Sequence, residues 1–138
     1  MKQPDEVKKE FTQRWLQKAE GDYSTSEHLL PAGKEHLEAV TFHSQQASEK
    51  YLMAFLVWHQ IEFPKTHDIN LLLTLASGRE PELAKSLADA AILTPYGVEY
   101  RYPGDYPEVT MDEAQKAFEI TGRVRKEILK RLPPDILS

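Results

Sequence analysis

The chain has 138 residues, 41 % of them hydrophobic and 28 % charged, with a formal net charge of −5 and no cysteine. Those totals describe a single domain spanning residues 1–138 with one core, neither disordered nor membrane-embedded. They exclude disulfides, thiolate metal sites and a cysteine nucleophile, and the acidic balance argues against a general electrostatic grip on nucleic acid. The longest apolar run, Tyr51 to Trp58, is too short to span a bilayer, and the charged N-terminus lacks the apolar segment of a signal peptide. A cytoplasmic location is expected.

Asp5 to about Leu30 reads as the first helix, with Val7, Phe11, Trp15, Ala19 and Tyr23 recurring every four residues. Gly21 is a mid-helix cost of about 1 kcal/mol against alanine. Pro31 and Gly33 then make a turn into a second helix, from about Lys34 to Gln60, which would be ~40 Å long. Two long helices on a short link form an antiparallel hairpin.

The second helix centres on Phe42 to Trp58, FHSQQASEKYLMAFLVW. Leu37, Val40, Ala47, Tyr51, Ala54, Phe55 and Trp58 fall on one stripe, and Ala39, Phe42, Met53 and Val57 project from another side. A helix with two apolar sides is covered from two directions. Tyr51, Phe55 and Trp58 read as core rather than as a stacking box for bases. Between the two sides runs a polar line, His43, Gln46 and Lys50, which either sits solvated at the rim of the core or faces a groove or a second subunit.

Phe63-Pro64-Lys65-Thr66 breaks the helical pattern. Asp68 is placed to cap a short third helix carrying Leu71, Leu72, Leu73 and Leu75, which Gly78 ends. Pro81 opens a fourth helix whose buried side is Leu83, Leu87, Ala90, Ala91 and Leu93. Thr94 to Val109 is irregular, with three prolines, two glycines and four tyrosines around Arg101. Thr110 with Glu113 predicts a capping box at the start of the last helix, whose core stripe is Ala114, Phe118, Thr121, Val124 and Ile128. Pro133-Pro134 stops it. No strand pattern, repeat or low-complexity tract occurs, so the fold class is all-α: an up-and-down bundle of about five helices.

The bend holding Arg101, Tyr102, Asp105 and Tyr106 is the best candidate for ligand contact, because a guanidinium among aromatic rings binds planar or anionic groups. The alternative is that the rings pack the bend onto the bundle while Arg101 pairs with a carboxylate. His43 is either an acid–base or phosphate contact or a surface histidine bonded to a neighbour. His67, at a helix start, is expected to bond a turn carbonyl. His36 and His43 lie ~10 Å apart along the helix, too far to chelate one metal unaided, and no metal, cofactor or glycine-rich phosphate motif occurs. The basic run Arg123, Arg125, Lys126, Lys130 and Arg131 reads as a solvated face.

Three blocks in order, FHSQQASEKYLMAFL, PKTHDINLLL and YGVEYRYPGDYPEVTMDEA, resemble the HEPN family of small helical bundles over nearly the whole chain. The resemblance implies a role with nucleotides or RNA, and a homodimer, which the surplus apolar surface read on the second helix also suggests. Many relatives of that kind are metal-independent ribonucleases in which an arginine, four to six residues and a histidine meet across a dimer cleft. After Arg101 no histidine falls in that window, and Tyr106 stands where it would. A phenol with a pKa of about 10 exchanges protons poorly near neutrality. Tyr100-Arg101-Tyr102-Pro103 resembles the branch found beside a minimal nucleotidyltransferase, which implies such a partner in a toxin–antitoxin-like pair. The expectation is a nucleotide- or RNA-binding regulatory subunit, with His43, Gln46, Lys50, Arg101, Tyr102 and Tyr106 lining one cleft. An endoribonuclease with a degenerate motif and a non-catalytic dimerisation scaffold are the alternatives.

Overall fold

The computed structural model describes residues 3–97, 102–105 and 107–137. Among them five α-helices form, α1 (Pro4–Leu29), α2 (Leu37–Trp58), α3 (Ile69–Ser77), α4 (Pro81–Ser86) and α5 (Met111–Leu129), and no strand. Short 3-10 turns, Leu30–Ala32 and Lys34–His36, join α1 to α2. Gly33 sits between them at φ +129°, a backbone angle that a side chain would strain.

α2 is the central element, and most of it is buried. It packs antiparallel on α1 and parallel to α5, with Leu37 and Val40 beside Ala114 and Ser48 donating to the Thr121 hydroxyl at 2.9 Å. α3, α4 and a ten-residue 3-10 segment, Ala88–Gly97, close the remaining side. Coverage from two directions is therefore supplied within one chain. Met53 is buried and Phe42 and Val57 are half-buried, so α2 shows no surplus apolar face that would demand a second subunit.

Two details depart from the periodicity. On α1 the buried residues are Thr12, Leu16, Ala19 and Ser26, whereas Phe11 is 49 % exposed and lies under the Arg14 guanidinium. A strict four-residue repeat advances 40° per step on a helix of 3.6 residues per turn, so Trp15, Ala19 and Tyr23 pack on the core while the Val7–Phe11 end of the row turns away from it. The fourth helix also ends sooner than its leucines suggest. Leu87 is buried at the C-cap of α4, and Ala90 and Leu93 are buried from the tighter 3-10 segment that runs through Pro95, while Ala91 is only half-buried.

The caps follow the sequence. Asp68 accepts from the Asn70 and Leu71 amides, and Thr110 accepts from the Glu113 amide at 3.1 Å. The Glu113 carboxylate receives the Tyr96 hydroxyl. No helix among the described residues is long and apolar enough to cross a membrane.

Candidate functional site

On α2, His43, Gln46 and Lys50 project from the strip that the core leaves partly open, toward α1 and the α2–α3 link. Their principal partner is Asp22. Its Oδ1 receives His43 Nδ1 at 2.8 Å and its Oδ2 receives Lys50 Nζ at 2.5 Å. Asp22 and Lys50 are mostly shielded and the His43 ring is partly open to solvent. With Nδ1 held on a carboxylate, His43 directs Nε2 away from α1, and no described residue pairs with that nitrogen. Two cationic or protonatable groups, about two helical turns apart, are thus held on a single anionic anchor.

Asp22 was not identified from the sequence, although the hairpin register points to it. Helices joined by a tight turn bring residues equidistant from that turn side by side, and Asp22 and Ser44 are each eleven residues from Gly33. Ser26 reports the same register by donating to the Val40 carbonyl at 3.0 Å.

Gln46 turns along α2, donating to Gln45 Oε1 at 2.8 Å and to Glu49 Oε2 at 3.1 Å. Glu49 is the buried carboxylate of this face, and burial pushes its pKa up, with a glutamine amide and the charge of His67 offsetting only part of that. His67 covers it, Nδ1 to Oε1 at 2.8 Å, with its own side chain 73 % exposed. The ring therefore meets a carboxylate rather than the expected turn carbonyl. The turn carbonyl is used nonetheless: Gln45 Nε2 donates to the His67 carbonyl at 3.2 Å. A Cβ on Gly97 would come within 2.9 Å of the Gln45 amide, so the start of the tyrosine-rich bend is packed directly on this glutamine.

A second cluster locks the face from behind. Glu20 Oε1 receives the Tyr51 hydroxyl at 2.6 Å and Arg125 Nε at 2.6 Å, and Oε2 receives a second Arg125 bond at 3.1 Å. Burial alone would raise the Glu20 carboxyl, but the bonds from Arg125 and Tyr51 outweigh it and hold the pKa below the usual range. Burial, followed by the bond to Glu20, pushes the Tyr51 phenol up, and the bond to Glu20 pushes the Arg125 guanidinium up. Arg125 thus belongs to a network joining α1, α2 and α5 rather than to a solvated face. Arg123, which pairs with Asp89, and Arg131, which pairs with Glu80 and Glu127, are engaged as well.

Tyr102 lies elsewhere. Pro103 and Gly104 fill the centre of a tight turn closed by the Asp105 amide on the Tyr102 carbonyl at 3.1 Å, with Gly104 supplying φ +91°. The Tyr102 side is 78 % exposed and lines a groove beside Lys34 to Glu38, at the start of α2. From Glu38 to Lys50 is ~18 Å along the helix axis. The described residues thus bring His43, Gln46 and Lys50 together and leave Tyr102 apart from them. Arg101 and Tyr106 lie outside the described residues. No group of three His, Asp or Glu side chains suited to a metal occurs among those described.

The architecture defines a class: a small all-α bundle whose central, mostly buried helix carries a histidine and a lysine on a shared carboxylate. The family model for the HEPN domain matches residues 12–132, and the chain belongs to the HEPN domain family. Membership supports a nucleotide- or RNA-related role. No curated protein and no solved structure matches the chain significantly.

Proposed function

We propose that the chain is a nucleotide- or RNA-binding regulatory subunit, acting as a cytoplasmic homodimer with a separate minimal nucleotidyltransferase in a toxin–antitoxin-like pair. The observation that carries the binding half is the anchoring of His43 and Lys50 on Asp22. Lys50 keeps two ammonium protons for a phosphate oxygen, and His43 Nε2 and Gln46 give directed polar contacts to the sugar or base. Arg101 and Tyr106 complete the ligand set in this reading, the arginine on phosphate and the ring against the base or sugar, while Tyr102 in its separate groove is outside it. The partner half rests on the Tyr100–Pro103 block and its resemblance.

Thermal shift of the purified chain with AMP, ATP and a short single-stranded RNA tests the binding. A ligand at a hundred times its dissociation constant adds ~2.7 kcal/mol. The shift should disappear in Lys50→Ala and Arg101→Ala. No shift with any of the three ligands refutes binding, and failure to co-purify with the nucleotidyltransferase encoded nearest to it refutes the pairing.

One observation favours a second reading. His43–Asp22 and His67–Glu49 are two histidine–carboxylate pairs on one face, each ring held through Nδ1. Such pairs serve general acid–base chemistry, here on an RNA phosphodiester. Cleavage of labelled RNA that His43→Ala abolishes would establish an endoribonuclease; intact RNA after prolonged incubation would remove it.

A further inference from the structure

The groove under Tyr102 has a chemistry opposite to that of the polar face. α2 and α5 run parallel and both begin at its wall, which leaves Leu37 and Val109 on an apolar floor. Tyr102 and the neighbouring prolines form an exposed apolar rim. Three carboxylates, Glu35, Glu38 and Glu108, stand around it against a single described cation, Lys34. All four of these side chains belong to exposed residues. The space is about 770 Å³, room for several side chains of an extended segment.

A nucleotide or RNA strand entering here would bring phosphates against three carboxylates. A cationic segment meets complementary charge and the exposed apolar rim. We propose that this groove docks an extended segment of a protein partner in which a proline or aliphatic side chain is flanked by lysines or arginines. The apolar side chain fills the space over Leu37 and Val109. The Tyr102 ring takes the face of a proline or the stem of a flanking lysine, as aromatic-lined grooves do for polyproline-like segments. The glutamates pair with the flanking cations and reject acidic competitors. The groove lies ~18 Å along α2 from Lys50, so this docking stands apart from the nucleotide reading.

Fluorescence anisotropy on the full chain tests it, using a fluorescein-labelled decapeptide that alternates lysine with proline and leucine, and the same peptide with glutamate for lysine. The lysine peptide should bind saturably and lose affinity as salt rises. Affinity should fall about ten-fold or more in Tyr102→Ala and in a Glu35→Lys, Glu38→Lys double variant, all exposed positions, and stay unchanged in Lys50→Ala. Saturable binding with that pattern supports the assignment. Binding of the lysine peptide that does not saturate, equal binding of the glutamate peptide, or undiminished affinity in both groove variants overturns it.

Discussion

Removing the Tyr51 hydroxyl tests the network that sets α1 against α2 and α5. The side chain is fully buried and its hydroxyl donates 2.6 Å to Glu20 Oε1, which Arg125 also engages. A hydrogen bond to a charged group contributes about 1.5–3 kcal/mol. Tyr51→Phe leaves Glu20 its two Arg125 bonds and opens little space, so the lower end of that range, about 1.5 kcal/mol, is expected at pH 7. A chain of this length unfolds with an entropy near 0.3 kcal/mol per degree, which converts the loss to a Tm about 5 °C lower. The cost should also depend on pH. The folded-state pKa of Glu20 is depressed, so its contribution is present above the unfolded carboxylate value and is lost as pH falls through the folded one. The difference between wild type and Tyr51→Phe, followed by urea unfolding, should therefore shrink from pH 7 toward pH 3. An unchanged midpoint at pH 7, or a difference that persists undiminished in acid, would refute the reasoning.

Three further outcomes follow from the same geometry. Glu49→Gln should raise the Tm at pH 7, because a buried carboxyl with a raised pKa is more stably folded when neutral; the gain should vanish as pH falls below the unfolded carboxylate value, and calorimetry across pH 4–7 reads it. Gly97→Ala should cost about 1–3 kcal/mol in chemical denaturation, since the new methyl meets the Gln45 amide, and should cost less in a Gln45→Ala background. Phe55→Ala, which empties the centre of the core beside α2, should lose about 3–5 kcal/mol by the same measurement.

Much of the fold was legible. Helix count, the Asp68 and Thr110 caps, the Gly78 stop and the buried stripe of α2 follow from periodicity and from residues whose preferences are local. The α1 face was legible at Trp15, Ala19 and Tyr23 but not at its start, because a repeat of four does not track the helix's own turn and it pointed to Phe11 in place of Leu16. The site was half legible. His43, Gln46 and Lys50 were visible as a polar row on an apolar helix, whereas Asp22, Glu20 and Glu49 were not, because a lone acid on a charged helix carries no sign of what it will face. Tyr102 shared a suggestive stretch with Arg101 and Tyr106, but nearness in sequence did not bring it to Lys50.

The sequence by itself determined the class: an all-α bundle, HEPN in family, built on a helix with two apolar sides that must be covered from two directions. Those are consequences of hydrophobic spacing and local backbone preference, which act within a few residues. Tertiary structure alone decided that His43 and Lys50 share Asp22, that His67 covers Glu49, and that the Tyr102 turn opens an acidic groove at the other end of α2. Each of these joins side chains between 18 and roughly 65 positions apart, and only the register of packed helices brings such groups within bonding or packing distance.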